Sequence, residues 1–86
     1  MKRRNSLDIM AAILGAARGG SNKTRIVYKA NLNFNIFNKY LSELTKYGLL
    51  TIRKGSVIYE TTEKGIEFLE QYDRLWKYRE REQGGE

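Results

Sequence analysis

Eighty-six residues with sixteen Lys and Arg against ten Asp and Glu, a net charge of +6, make one small basic domain, close to the lower size at which a chain buries its own core. Cysteine, histidine and proline are absent, which excludes disulfides, Cys/His zinc sites and nucleophilic catalysis built on His or Cys. There is no apolar run of about eighteen residues to span a membrane, and the basic start Met1-Lys2-Arg3-Arg4 leads into an amphipathic pattern where a secretory signal would need a continuous apolar one.

Along the chain, Ser6 is a suitable N-cap for a first helix on which Leu7, Met10, Ile13, Leu14 and Ala17 recur at helical spacing, and Gly19-Gly20 end it. Ser21-Asn22 offer the next cap. A short second helix, Thr24 to Ala30, has Ile26, Val27 and Ala30 on its buried side. Asn31-Leu32-Asn33 form a tight polar joint, and Asn33 caps a third helix from Phe34 to Tyr47. Its apolar stripe is Phe34, Phe37, Tyr40, Leu41 and Leu44. Gly48 suits the left-handed residue beyond that helix, with Leu49 folding back on its last turn.

The period then changes. Leu50-Thr51-Ile52-Arg53 and Val57-Ile58-Tyr59-Glu60-Thr61 are short, alternating and rich in β-branched residues, and Lys54-Gly55-Ser56 joins them as a hairpin. Thr62 caps a last helix, with Glu63 favourable in its first turn. It is expected to reach about Arg81, leaving Gln83 to Glu86 as tail. The expected class is mainly α (α+β), in the order α-α-α-β-β-α: a winged helix-turn-helix over residues 1–61, and a long C-terminal helix over 62–86 for core closure and dimerisation.

Charge is unevenly divided. Residues 1–56 carry eleven Lys and Arg against Asp8 and Glu43, a balance of +9, while residues 57–86 carry five against eight acids, or −3. The excess sits where a polyanion would dock. With the apolar stripe of the third helix inward, its outer face presents Asn35, Asn38, Lys39, Ser42 and Lys46 at three- and four-residue steps. Asn pairs with adenine, Lys donates to guanine, and Ser contacts either. Lys23, Thr24 and Arg25 at the start of the second helix, with Asn33 at the start of the third, suit phosphates. Arg53, Lys54 and Ser56 would form a wing reaching backbone or minor groove, and Lys2, Arg3 and Arg4 an N-terminal arm. Tyr28 and Tyr40 read as core aromatics with a bonded hydroxyl.

The last helix carries Ile66, Phe68, Leu69, Tyr72, Leu75 and Trp76, a band too broad for one small domain to cover. Its second half, with Leu69, Tyr72, Leu75, Trp76 and Arg79, is expected to form a homodimer interface.

Several segments also resemble a known family. Lys23-Thr24-Arg25-Ile26-Val27-Tyr28-Lys29-Ala30-Asn31-Leu32-Asn33-Phe34 is similar to the K-T-R-I-x-Y-x-A-N-L-S-Y segment of small archaeal winged-helix DNA-binding proteins. Tyr40 to Leu50 resembles their Y-L-x-x-L-x-x-x-G-L-I, and Thr61-Thr62-Glu63-Lys64-Gly65 their L-T-x-K-G. That family includes predicted transcriptional regulators and the dimeric chromatin-associated proteins called 10a. The resemblance spans roughly residues 5 to 75. It implies double-stranded DNA as partner and a dimer formed by antiparallel pairing of the last helix.

The leading expectation is thus a dimeric DNA-binding protein, cytoplasmic and nucleoid-associated, acting as a transcription regulator. Alternatives are an architectural or chromatin protein of low specificity and, in another class, a winged-helix protein-interaction module. No acid–base cluster, metal or cofactor site stands out, so an enzyme is not expected.

Overall fold

The computed structural model describes residues 4–84, with side chains through Tyr78. The elements are α1 (Ser6–Ala16), α2 (Lys23–Lys29), α3 (Phe34–Lys46), β1 (Leu50–Ile52), β2 (Tyr59–Thr61) and α4 (Glu63–Gly84). The order is the expected one, and the boundaries have local causes.

The cap of α1 is Asn5, one residue before the expected Ser6. The Asn5 side chain accepts from the Asp8 N–H at 2.8 Å, while the Asp8 carboxylate accepts from the Asn5 N–H at 3.1 Å. This reciprocal pair satisfies two orphan donors together, which a Ser6 cap would not achieve here. Ser6, the first helical residue, instead places its hydroxyl 3.1 Å from the Tyr40 hydroxyl. Asn22 caps α2 and Asn33 caps α3, each accepting from the N–H three residues on.

Two helices end by the same device. In α3 the Leu49 N–H reaches back to the Leu44 carbonyl and the Gly48 N–H to that of Thr45, with Gly48 at φ 75°. In α2 the Leu32 N–H reaches Val27 and the Asn31 N–H reaches Tyr28, with Asn31 at φ 56°. Both are Schellman endings, one using glycine and the other the side chain that best tolerates left-handed backbone after it.

The core is formed by Ile13, Leu14 and Ala17 of the first helical segment, Ile26 and Val27 of α2, Phe37 and Leu44 of α3, and Leu49 and Leu50 entering β1. Phe37 meets Tyr59 edge-on, with ring centroids 5.8 Å apart. The expected stripes need correction at their first turns. Leu7 and Phe34 are exposed, and Ile9 and Ala11 join the packing on α1. Tyr28 is also corrected: it is 84% exposed, not a core aromatic. Tyr40 packs against the core with its hydroxyl bonded, as expected.

β1 and β2 pair antiparallel, Leu50 with Thr61, Thr51 with Glu60 and Ile52 with Tyr59. Ser21 adds an isolated bridge on the other edge of β2: its N–H donates to the Tyr59 carbonyl at 2.9 Å and its carbonyl accepts from the Tyr59 N–H at 2.8 Å. Ser21 therefore acts as a one-residue third strand, not as a helix cap. Buried Thr61 ties β2 to α1, donating its hydroxyl to the Leu14 carbonyl at 2.6 Å.

Thr62 begins α4. Its hydroxyl accepts from the Gly65 N–H at 3.1 Å and donates to the Gly48 carbonyl at 2.6 Å. Gly65 is buried directly against the Leu49 carbonyl, where a Cβ would collide. α4 continues through Gly84, so Gln83 and Gly84 are helical and not tail. Its 22 residues extend the molecule to 51 Å in its longest dimension.

Candidate nucleic-acid interface

α3 is held from behind by Phe37 and Leu44, both fully buried, with Ile36, Tyr40 and Leu41 half-buried beside them. That packing settles its rotation. Asn35, Asn38, Lys39, Ser42 and Lys46 all fall on the solvent side and are exposed. Successive positions turn by about 100°, so the five occupy about 100° of arc, and the helix presents them over about 18 Å. Glu43 is exposed at the edge of this face, four residues after Lys39 and three before Lys46. A helix face carrying amide, hydroxyl and ammonium groups matches the donor and acceptor edges of base pairs in the major groove.

The other candidates are placed differently. Thr24 and Arg25 project from the first turn of α2. Lys23 is half-buried, and its ammonium lies 5.9 Å from the ring centroids of both Phe34 and Phe37. Its charge is thereby drawn to the start of α3, in cation–π range of two rings. The Asn33 side-chain oxygen accepts from the Ile36 N–H, so that atom serves the cap. Arg4 donates to the Asn31 carbonyl at 3.3 Å, placing it at the α2–α3 joint. Lys2 and Arg3 lie outside the described residues.

The hairpin tip runs from Lys54 to Val57 between Arg53 and Ile58, which are joined by a 2.7 Å hydrogen bond from the Arg53 N–H to the Ile58 carbonyl. Gly55 at φ 74° makes the turn. Ser56 is internal to it: its hydroxyl donates to the Arg53 carbonyl at 2.8 Å and accepts from the Ile58 N–H at 3.1 Å. Lys54 is exposed, whereas the Arg53 guanidinium is turned back onto Glu60 and Gly19. Ile52 and Val57, both expected in the alternating strands, leave apolar side chains exposed at the wing, Val57 by 76%. Alternation alone could not reveal this exposure, because both strands are only three residues long.

Along α4 the expected interface residues divide between two hollows beside α1. Leu69, Tyr72 and Trp76 face Asp8, Ala11 and Ala12 across an open groove of about 900 Å³. Leu75 lies near Leu7 and Phe68 in a smaller hollow of about 150 Å³. Tyr72, expected at a homodimer interface, has a partner within the chain, since its hydroxyl donates to the Asp8 carboxylate. Leu75 and Tyr78 remain at least half exposed. The side chain of Arg79 lies outside the described residues. Among the described residues no cluster of three potential metal ligands occurs, and no helix is long and apolar enough to cross a membrane.

Three helices, a two-stranded wing and an outward α3 define a winged helix-turn-helix. A family model of that description matches residues 3–80, and the chain belongs to this family. The crystal structure of Sso10a-2, a DNA-binding protein from Sulfolobus solfataricus, is similar with a TM-score of 0.85 and 33% sequence identity, covering 95% of this chain and 88% of that one. These findings bear out the resemblance to small archaeal winged-helix proteins, and with it the expectation of a non-enzymatic protein. No curated protein matches the sequence significantly.

Proposed function

We propose that this protein binds double-stranded DNA with α3 in the major groove and acts as a transcription regulator. The observation that carries the reading is the outer face of α3, where Asn35, Asn38, Lys39, Ser42 and Lys46 are all exposed on a helix whose rotation is fixed by Phe37 and Leu44. Thr24 and Arg25, with Lys23 behind them, contact phosphates beside the groove, and Lys54 at the wing tip follows the backbone or minor groove. The similar Sso10a-2 is a DNA-binding protein, which supports the same partner here.

In this reading residues 1–61 meet the duplex. α4 closes the core with its first half and pairs with a second copy through its second half, where Leu75 and Tyr78 are exposed. A two-fold dimer sets two α3 helices against one duplex and gives a palindromic footprint.

Selection of bound duplexes from a random pool tests the regulator reading. A sharp motif is expected, and a flat pool would instead indicate an architectural role. Lys39→Glu with Lys46→Glu is expected to weaken binding by about a hundredfold or more at moderate salt, since each exchange replaces attraction by repulsion at the phosphates. Undiminished binding by that double variant would reject α3 as the contact helix. A monomeric mass in solution would reject the dimer.

A further inference from the structure

A two-stranded hairpin is marginally stable alone, so the direction in which a wing points depends on what joins it to the body. Here Leu50, Tyr59 and Thr61 anchor its base in the core, and the junction nearer the tip is the Gly19-Gly20-Ser21 segment. Ser21 pairs with Tyr59 through two backbone hydrogen bonds. Gly19 and Gly20 adopt φ 78° and 97°, a backbone that L side chains rarely take. Arg53, following β1, crosses this segment. Its Nη2 donates to the Gly19 carbonyl at 3.4 Å, and its Nη2 and Nε donate to Glu60 Oε1 at 3.1 and 3.3 Å. A Cβ at Gly20 would strike the Arg53 guanidinium and come within 3.1 Å of Ile58 Cγ2. The guanidinium therefore lies on glycine backbone that leaves room for it, linking β1, β2 and the α1–α2 segment.

We propose that Arg53 is the strut that sets the angle of the wing to the body, with Glu60 as its clamp, and that Arg53 is not itself a DNA ligand. The proposal deepens the DNA-binding reading above and rests on it. A planar guanidinium suits the role because its fork can engage a carboxylate and a carbonyl together. A phosphate drawing Arg53 away would have to displace both partners and approach the Glu60 carboxylate. The cation that the wing offers to DNA is then Lys54, and Arg53 acts through position, not charge.

The test compares Arg53→Gln, Glu60→Thr and Lys54→Gln by duplex affinity across a salt series, and by amide hydrogen exchange in the DNA-free protein. Arg53→Gln is expected to weaken binding about threefold to tenfold, the range set by one modest lost contact, with the slope of log affinity against log salt unchanged. Glu60→Thr is expected to weaken binding to a similar degree although it removes a negative charge, and the double variant to be no worse than either single one. Lys54→Gln is expected to flatten the slope by about 0.9, the value for one lost phosphate contact. Exchange at the Ser21 and Tyr59 amides should rise in both strut variants. A slope flattened by about 0.9 in Arg53→Gln, or tighter binding by Glu60→Thr, would overturn the proposal and make Arg53 a phosphate ligand masked by Glu60. Unchanged exchange at Ser21 and Tyr59 in both variants would also overturn it. Failure of the unaltered protein to bind any duplex would reject the DNA-binding reading, while the exchange measurement would still judge the strut.

Discussion

The phenol of Tyr72 donates to the carboxylate of Asp8, joining α4 to the capping box of α1 across 64 positions of sequence. The same carboxylate accepts from the Asn5 N–H, so one group fastens a helix start and an interhelical contact. Tyr72→Phe is expected to lower stability by about 1 kcal/mol, the usual net value of one such bond. Asp8→Ala is expected to cost about 1–2 kcal/mol, because the capping box is lost as well. Urea unfolding midpoints check both, and an Asp8→Ala variant as stable as the parent would contradict the shared role.

Two glycines should respond in opposite directions. Gly65 is buried, and a Cβ there meets the Leu49 carbonyl and lies 2.6 Å from Thr61 Cγ2. Gly65→Ala must displace backbone and is expected to cost about 1–3 kcal/mol, as overpacking does. Gly15 sits on α1 with open space around its Cβ position. Gly15→Ala should stabilise by about 0.5–1 kcal/mol by reducing the freedom of the unfolded chain. Thermal unfolding of the pair decides; a stabilising Gly65→Ala would mean that α4 does not approach Leu49 this closely.

At the helix-turn-helix joint, Asn31 has φ 56° with no glycine to ease it. Asn31→Ala is expected to destabilise by about 1 kcal/mol, near the lower cost of left-handed backbone for an L residue, while Asn31→Gly should be neutral or better. Melting temperatures should order Gly at or above Asn, and Ala below both by about 4–8 °C per kcal/mol.

The two phenylalanines of α3 belong to one apparent stripe but to different environments. Phe37 is fully buried and packs on Tyr59, whereas Phe34 is 46% exposed. Phe37→Ala is expected to cost about 3–5 kcal/mol, enough to unfold much of a domain this small. Phe34→Ala should cost less than about 1 kcal/mol, as surface changes do. Circular dichroism at 25 °C separates them, and equal losses of helix would refute the assigned burial.

This contrast shows what could be read in the chain and what could not. The joint Asn31-Leu32-Asn33, the ending at Gly48-Leu49 and the hairpin are set by local backbone chemistry, and each appears where residue type demands it. The outer face of α3 was equally legible, because helical periodicity fixes one side once the other is apolar. Adjacent Asn5 and Ser6 are both able caps, and their choice depends on Asp8 answering Asn5. Ser21 forms a strand of one residue, which has no period to detect. Exposure of Leu7, Tyr28 and Phe34 depends on which flank of a short helix the neighbouring elements cover. The Arg53–Glu60 and Tyr72–Asp8 pairs arise from folding, and no spacing in the sequence announces them.

The Thr62 hydroxyl has a further consequence. It binds the carbonyl of Gly48 just beyond α3 and the N–H of Gly65 in the first turn of α4, while the Thr62 N–H holds the Leu49 carbonyl. The end of one helix and the beginning of the other are thus welded at a corner about one turn across. The start of α4 is held to the end of α3 at this corner, while its flank packs on α1, where Tyr72 meets Asp8. The one side chain of Thr62 serves two helices, and its loss would orphan the Gly48 carbonyl and the Gly65 N–H together.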